Sequence, residues 1–83
     1  MDELIRIQSI NPDALQLDGF EECIVGIVEG YAAIGVLLYS ESKIMKQLMD
    51  QGMTREDALE YFEYNILDAY FGEHMPMFLE DIV

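Results

Sequence analysis

The stretch Cys23-Ile24-Val25-Gly26-Ile27-Val28-Glu29-Gly30-Tyr31-Ala32-Ala33-Ile34-Gly35-Val36-Leu37-Leu38-Tyr39 decides the fold class. Two runs rich in β-branched and large apolar residues flank Glu29-Gly30-Tyr31-Ala32-Ala33, the composition of a β-hairpin over about 23–39 with a loop of about five residues. Apolar residues occupy both parities of each run, which predicts that both faces of the strands are covered. Gly26 and Gly35 interrupt the runs, where a bulge or a close backbone approach is the usual reason for glycine.

Toward the C-terminus the period changes at Ser40, a good N-cap, with Glu41 suited to the positive end of a helix dipole. Ile44, Met45, Leu48 and Met49 then form one amphipathic stripe, predicting a helix over about 41–51 that Gly52 closes. Thr54-Arg55-Glu56-Asp57 carries the Thr-x-x-Asp start signal of a second helix, about 55–71, which Gly72 ends and Pro76 keeps from continuing. At 100° per residue Leu59, Phe62, Ile66, Ala69 and Tyr70 share the predicted core face, and Glu56, Glu60 and Glu63 line the opposite one. No Lys or Arg stands four residues on from these three acids to pair with them, so the stripe is either a solvated face or a docking surface for basic side chains.

Leu67 and Phe71, with Tyr64 close by, continue that outward face where a solvated helix shows polar residues. Such a patch wants a cover, either the apolar tail Met75-Pro76-Met77-Phe78-Leu79 folded back, a second copy of the chain, or a foreign partner. The tail reads as a short strand or as packing over the second helix. Toward the N-terminus Asp18-Gly19 and Asn11-Pro12-Asp13 are turn signals, with Ala14 to Leu17 linking them. Leu4, Ile5, Ile7 and Ile10 fit a short strand or a helical turn equally. The expectation is an α+β fold, one domain over 1–83, a hairpin packed against two helices with an extra short strand from one terminus.

A chain of 83 residues has room for one core. With 52% hydrophobic and 25% charged residues it reads as folded rather than disordered. Six Met, five Tyr and four Phe exceed what so small a core must hold, which predicts a partner surface and a homodimer. Seventeen Asp and Glu against Arg6, Lys43, Lys46 and Arg55 give a formal net charge of −13, which excludes nucleic acid and anionic membranes as natural partners and favours a basic protein surface. The folded-monomer scaling gives roughly 5,000 Å² of surface, hence about one net charge per 400 Å², some fourfold below duplex DNA. Mimicry of DNA therefore requires acids such as Glu21, Glu22, Glu56, Glu60 and Glu63 to cluster.

Cys23 is the only cysteine, so no intrachain disulfide forms, and Met1-Asp2-Glu3-Leu4 lacks a basic leader region, so the expected setting is cytoplasmic. The longest uncharged stretch, Gly30 to Ser40, is too short to span a bilayer. His74, the only histidine, makes Cys23 and His74 the sole thiol–imidazole pair, and an inert buried cysteine is the more ordinary role. One Cys, one His and Asp50-Gln51-Gly52-Met53-Thr54-Arg55-Glu56 supply neither a zinc set nor a calcium loop. Neither catalysis nor a metal or other cofactor is expected.

The stretch Leu17-Asp18-Gly19-Phe20-Glu21-Glu22-Cys23-Ile24-Val25-Gly26 resembles the opening of a family of small acidic proteins common in bacteriophage genomes. Gly52-Met53-Thr54-Arg55-Glu56-Asp57-Ala58-Leu59-Glu60-Tyr61-Phe62-Glu63-Tyr64-Asn65-Ile66, running into Ala69-Tyr70-Phe71-Gly72-Glu73 and Pro76, is similar to the family's second half. The likeness covers about residues 17–79, and Met75 stands where the family has a small polar residue. It implies a phage or prophage origin rather than a chemistry, since most members are uncharacterised. Asn65 is expected to hydrogen-bond the loop that follows its helix. The functional expectation is an acidic protein-binding module, phage-encoded, inhibiting a host nucleic-acid-binding defence protein through contacts at Glu56, Glu60, Glu63, Tyr64, Leu67 and Phe71. The alternative is a homo-oligomeric accessory protein.

Overall fold

The computed structural model describes residues 2–29, 35–67 and 74–80, with the side chains of Asp2 and Glu3 left out. The first segment is a helix, α1 (Asp2–Ile10). Leu4 and Ile7 turn inward at helical spacing while Ile5 is 69% exposed, so the 3.6 period wins over the alternating one. Asn11 stops it: its N–H donates to the Ile7 carbonyl, and the Asn-Pro-Asp turn closes through Ala14 N–H to Asn11 O at 3.1 Å and Asp13 N–H to Asn11 Oδ1 at 3.1 Å. The second break is a turn over 17–20, with Phe20 N–H on the Leu17 carbonyl and Gly19 at φ +88°, the positive angle a type II turn needs at its third position. A 3₁₀ turn, Glu21–Cys23, leads into the sheet.

Strands β1 (Ile24–Glu29) and β2 (Gly35–Ser40) pair antiparallel as a hairpin. Glu29 pairs with Gly35, so it belongs to the strand and the connection is 30–34, outside the described residues. The tail supplies β3 (Met77–Leu79), parallel to β2 through Leu38 opposite Met77 and Ser40 opposite Leu79. The order β1-β2-β3 puts β2 in the middle. The expected two-sided cover holds for β2, five of whose six residues are buried. It fails for β1, where Val25 is 40% exposed and no residue is buried, because β1 is an edge strand.

Ser40 ends β2 and at once caps α2 (Glu41–Asp50), its Oγ accepting the Lys43 N–H at 3.2 Å. A Schellman closure ends α2, with Gly52 at φ +107°, its N–H on Met49 O and the Met53 N–H on Leu48 O. Thr54 caps α3 (Arg55–Tyr61) through Oγ1 and the Asp57 N–H at 3.1 Å. The expected single α-helix does not continue: residues Phe62–Ile66 form a π-helix, with the Leu67 N–H reaching back to the Phe62 carbonyl. The expected end near 71 lies outside the described residues.

One cluster joins Ile7, Leu17, Cys23, Leu37, Tyr39, Ile44, Leu48, Ala58, Phe62 and Ile66. Leu59, expected in the core, is 40% exposed, and Ala58 is buried in its place. The buried stripe runs Ala58, Phe62, Ile66, and Ala58 belongs to the same core cluster as Ile44 and Leu48 of α2. Ala69 and Tyr70 lie outside the described residues. Phe78 packs edge-on to Phe62 at 5.3 Å and against Tyr39 at 6.1 Å, so the tail joins the core side of the helix, not its outward patch.

Candidate functional site

The second helix carries the candidate surface. Thr54 sets its start and places Glu56 and Asp57 in the first turn, where the helix dipole favours carboxylates. Glu56, Glu60 and Glu63 are all exposed, as their spacing requires, and none has an ion-pair partner among the described residues. Tyr64 is 67% exposed and Leu67 37%, so the folded-back tail leaves both in contact with solvent. Phe71 lies outside the described residues.

An open groove of about 490 Å³ runs along this helix, lined by Met53, Asp57, Glu60, Tyr61, Tyr64 and Asn65. Of the expected contact residues it gathers Glu60 and Tyr64. Glu56, Glu63 and Leu67 are exposed but do not line it. Asp57, Tyr61 and Met53 were not expected as contact residues, although Asp57, Glu60, Tyr61, Tyr64 and Asn65 follow the i, i+3, i+4, i+7, i+8 spacing of one helix face; the cap at Thr54 engages only the Asp57 backbone N–H, and the Asp57 side chain lines the groove. Asn65 is exposed at this groove, and the loop it was expected to bond lies outside the described residues.

Lys46 and Arg55, half of the chain's four cations, line a second groove of about 430 Å³ with Met45, Met49, Leu59 and Glu80. Lys46 is held there by Asp50 at 2.9 Å. The first groove thus has carboxylates, phenol rings and an amide on its walls and no cation. Such walls suit an incoming ammonium or guanidinium, which gains from the carboxylates and from the faces of exposed tyrosines together. On the whole surface, 5718 Å², the net charge averages about one per 440 Å², still some fourfold below DNA, so the placement of acids matters more than their number.

Cys23 and His74 have different partners. The Cys23 thiol, 2% exposed, donates to Gln47 Oε1 at 3.5 Å, while Gln47 Nε2 donates to the Gly19 carbonyl at 2.6 Å, which ties α2 to the turn before β1. Burial pushes the thiol above its ordinary range; Lys43 opposes the shift, and Glu22 and Glu21 add to it. A thiol held protonated in this way packs as a small apolar group rather than acting as a nucleophile. His74 Nδ1 lies 3.0 Å from Asn11 Nδ2. Among the described residues no group of three or more His, Cys, Asp and Glu side chains is placed to hold a metal, and no helix is long and apolar enough to cross a membrane. The chain matches no family model, no curated protein and no solved structure.

Proposed function

We propose that this chain is an acidic protein-binding module that docks on a basic protein surface through the second helix. The observation that carries the reading is the groove walled by Asp57, Glu60, Tyr61 and Tyr64 with no cation among its lining residues. Glu56 and Glu63 extend the exposed negative charge on the same helix. Carboxylates held on a capped helix are pre-arranged, so binding orders fewer side chains than it would on a loop. The partner class follows from the charge: Lys- or Arg-rich surfaces are what nucleic-acid-binding proteins present. On the likeness to small acidic phage proteins, the module is phage-encoded, works in the host cytoplasm, and blocks such a protein by covering its basic surface. No catalytic step belongs to this role.

The test is capture of the partner from host lysate followed by titration of the purified pair. The triple variant Glu56→Gln, Glu60→Gln, Glu63→Gln is expected to weaken binding about ten- to a hundredfold at low salt and to flatten its salt dependence, because screened charge pairs are what it removes. Leu67→Ala and Phe71→Ala are expected to leave the salt slope unchanged. An unchanged affinity for the triple variant at low salt would refute the acidic-docking role.

A second reading is a homo-oligomer formed at the hairpin edge or the Leu67 patch. It is favoured by Val25 on the edge strand at 40% exposure and Leu67 at 37%. Sedimentation equilibrium at micromolar concentration decides it: a mass of 9.5 kDa throughout removes the dimer.

A further inference from the structure

We propose that the groove between α2 and the start of α3 is a self-association surface, on which a second copy of this chain docks about a two-fold axis. The floor of the groove is apolar. Met45 and Met49 stand four residues apart on α2, and Leu59 of α3 completes it. Met49 is 43% exposed and Leu59 40%, while Met45 is half-buried against the core. A floor with two thioethers adapts its shape to whatever lies on it.

The placement of charge around this floor selects a copy of the chain itself. Ser40 pairs with Leu79, so Glu80, the residue after β3, comes to lie beside the first turn of α2, where Glu41 also lines the groove. At the other end of α2, about 14 Å away, the groove reaches Asp50 and, across the turn at Gly52, Arg55. Lys46 and Asp50 neutralise each other at 2.9 Å, and Arg55 has no ion-pair partner among the described residues. One end of the groove is therefore negative and the other positive, with apolar side chains between them. A two-fold axis across the middle lays each end on the opposite end of the second groove, so the Arg55 of each copy comes to the Glu80 of the other.

Elsewhere a chain of net charge −13 repels its own kind, as at Glu56, Glu60 and Glu63. Lys46 and Arg55 gather half of its cations on this one face, where two copies approach at least cost. Nine residues line the groove, against about 20–30 a side in a standard interface, so the dimer is a weak one in the micromolar range. At 100° per residue Arg55 and Leu59 lie on the far side of α3 from Asp57, Tyr61 and Tyr64. The dimer thus leaves both acidic grooves open, and a partner with two basic sites would be held by both at once.

Sedimentation equilibrium on the full chain, from low micromolar to millimolar concentration, tests this. The mass is expected to rise from 9.5 kDa toward twice that value and stop there. Arg55→Glu and Glu80→Arg, both at exposed positions, are each expected to weaken association about tenfold. An equimolar mixture of the two variants is expected to restore it, because in the mixed dimer each contact again joins opposite charges. Leu59→Asp is expected to leave the chain monomeric, and Val25→Asp and Leu67→Asp to leave association as it was. A mass of 9.5 kDa at every concentration overturns the proposal, as does a mass that climbs past two copies. So does a mixture no tighter than its components, or a dimer lost in Val25→Asp or Leu67→Asp and kept in Leu59→Asp.

Discussion

Gly26 and Gly35 look alike in the sequence and do opposite work. Gly26 follows the register shift in β1, between Ile24 and Gly26, and a Cβ there would meet nothing within 4 Å. At Gly35 a Cβ would stand 2.5 Å from Ile10 Cγ2 and 3.4 Å from Ile7 Cδ1, because α1 crosses the start of β2 at that point. The Ile10 methyl is one bond from a branched Cβ and cannot swing clear without moving the helix. Gly35→Ala is therefore expected to destabilise the chain by about 1–3 kcal/mol, as overpacking does. Gly26→Ala is expected to be neutral or slightly stabilising, by up to about 1 kcal/mol, since it trims the entropy of the unfolded chain. Denaturant midpoints compare the two, and equal losses would show that α1 does not press on β2 as described.

Among the elements, the second helix carries the site and β3 packs against the buried Phe62 of that helix. The π-turn over Phe62–Ile66 adds a residue to the helix repeat, so side chains beyond it no longer follow the phase of those before it. Phe62 and Ile66 stay buried while Tyr61, Tyr64 and Asn65 open on the groove. β3 holds this arrangement from the other side, since Phe78 meets Phe62 and Tyr39 while its strand neighbours Met77 and Leu79 are 49% and 44% exposed. Phe78→Ala is expected to cost about 2–3 kcal/mol, less than a fully buried ring because Phe78 is half-buried. Met77→Ala is expected to cost under about 1 kcal/mol. Thermal unfolding of the two variants separates an anchoring strand from a loosely laid one: equal, small losses would place β3 outside the cooperative unit.

For the molecule as a whole, a net charge of −13 on 5718 Å² of surface is a self-repelling load. Thr54 and the helix dipole offset it locally for Glu56 and Asp57, and Lys46 offsets it for Asp50. The remaining repulsion acts over distances that salt shortens from about 30 Å at 0.01 M to about 8 Å at 0.15 M. The melting temperature is expected to rise across that range, and to rise less in the Glu56, Glu60, Glu63 triple Gln variant, which carries three fewer like charges. A melting temperature that is flat or falls with salt would contradict a stability limited by charge repulsion. The same long-range field is what would draw a basic partner in, so one property serves solubility, association rate and the cost in stability.

Local chemistry on the chain was enough to determine the hairpin, both caps at Ser40 and Thr54, the Gly52 closure, the turns at Asn11 and Gly19, and the exposure of Glu56, Glu60 and Glu63. Each of these depends on residues within a few positions of one another, where side-chain shape and hydrogen-bonding capacity act without distant help. Tertiary packing decided the rest. Residues 2–10 became a helix because Ile7 found the core under β2, and the tail became a strand because the open edge of β2 offered it backbone partners. Ala58 rather than Leu59 joined the core, because the rotation of α3 about its axis is set by packing and puts Ala58, Phe62 and Ile66 inward. The groove at Asp57, Glu60, Tyr61 and Tyr64, by contrast, follows the i, i+3, i+4, i+7 spacing of one helix face, which the chain already carries. The amide of Asn11 meets groups 24 and 63 positions away, at 2.9 and 3.0 Å, which only the folded chain brings to it.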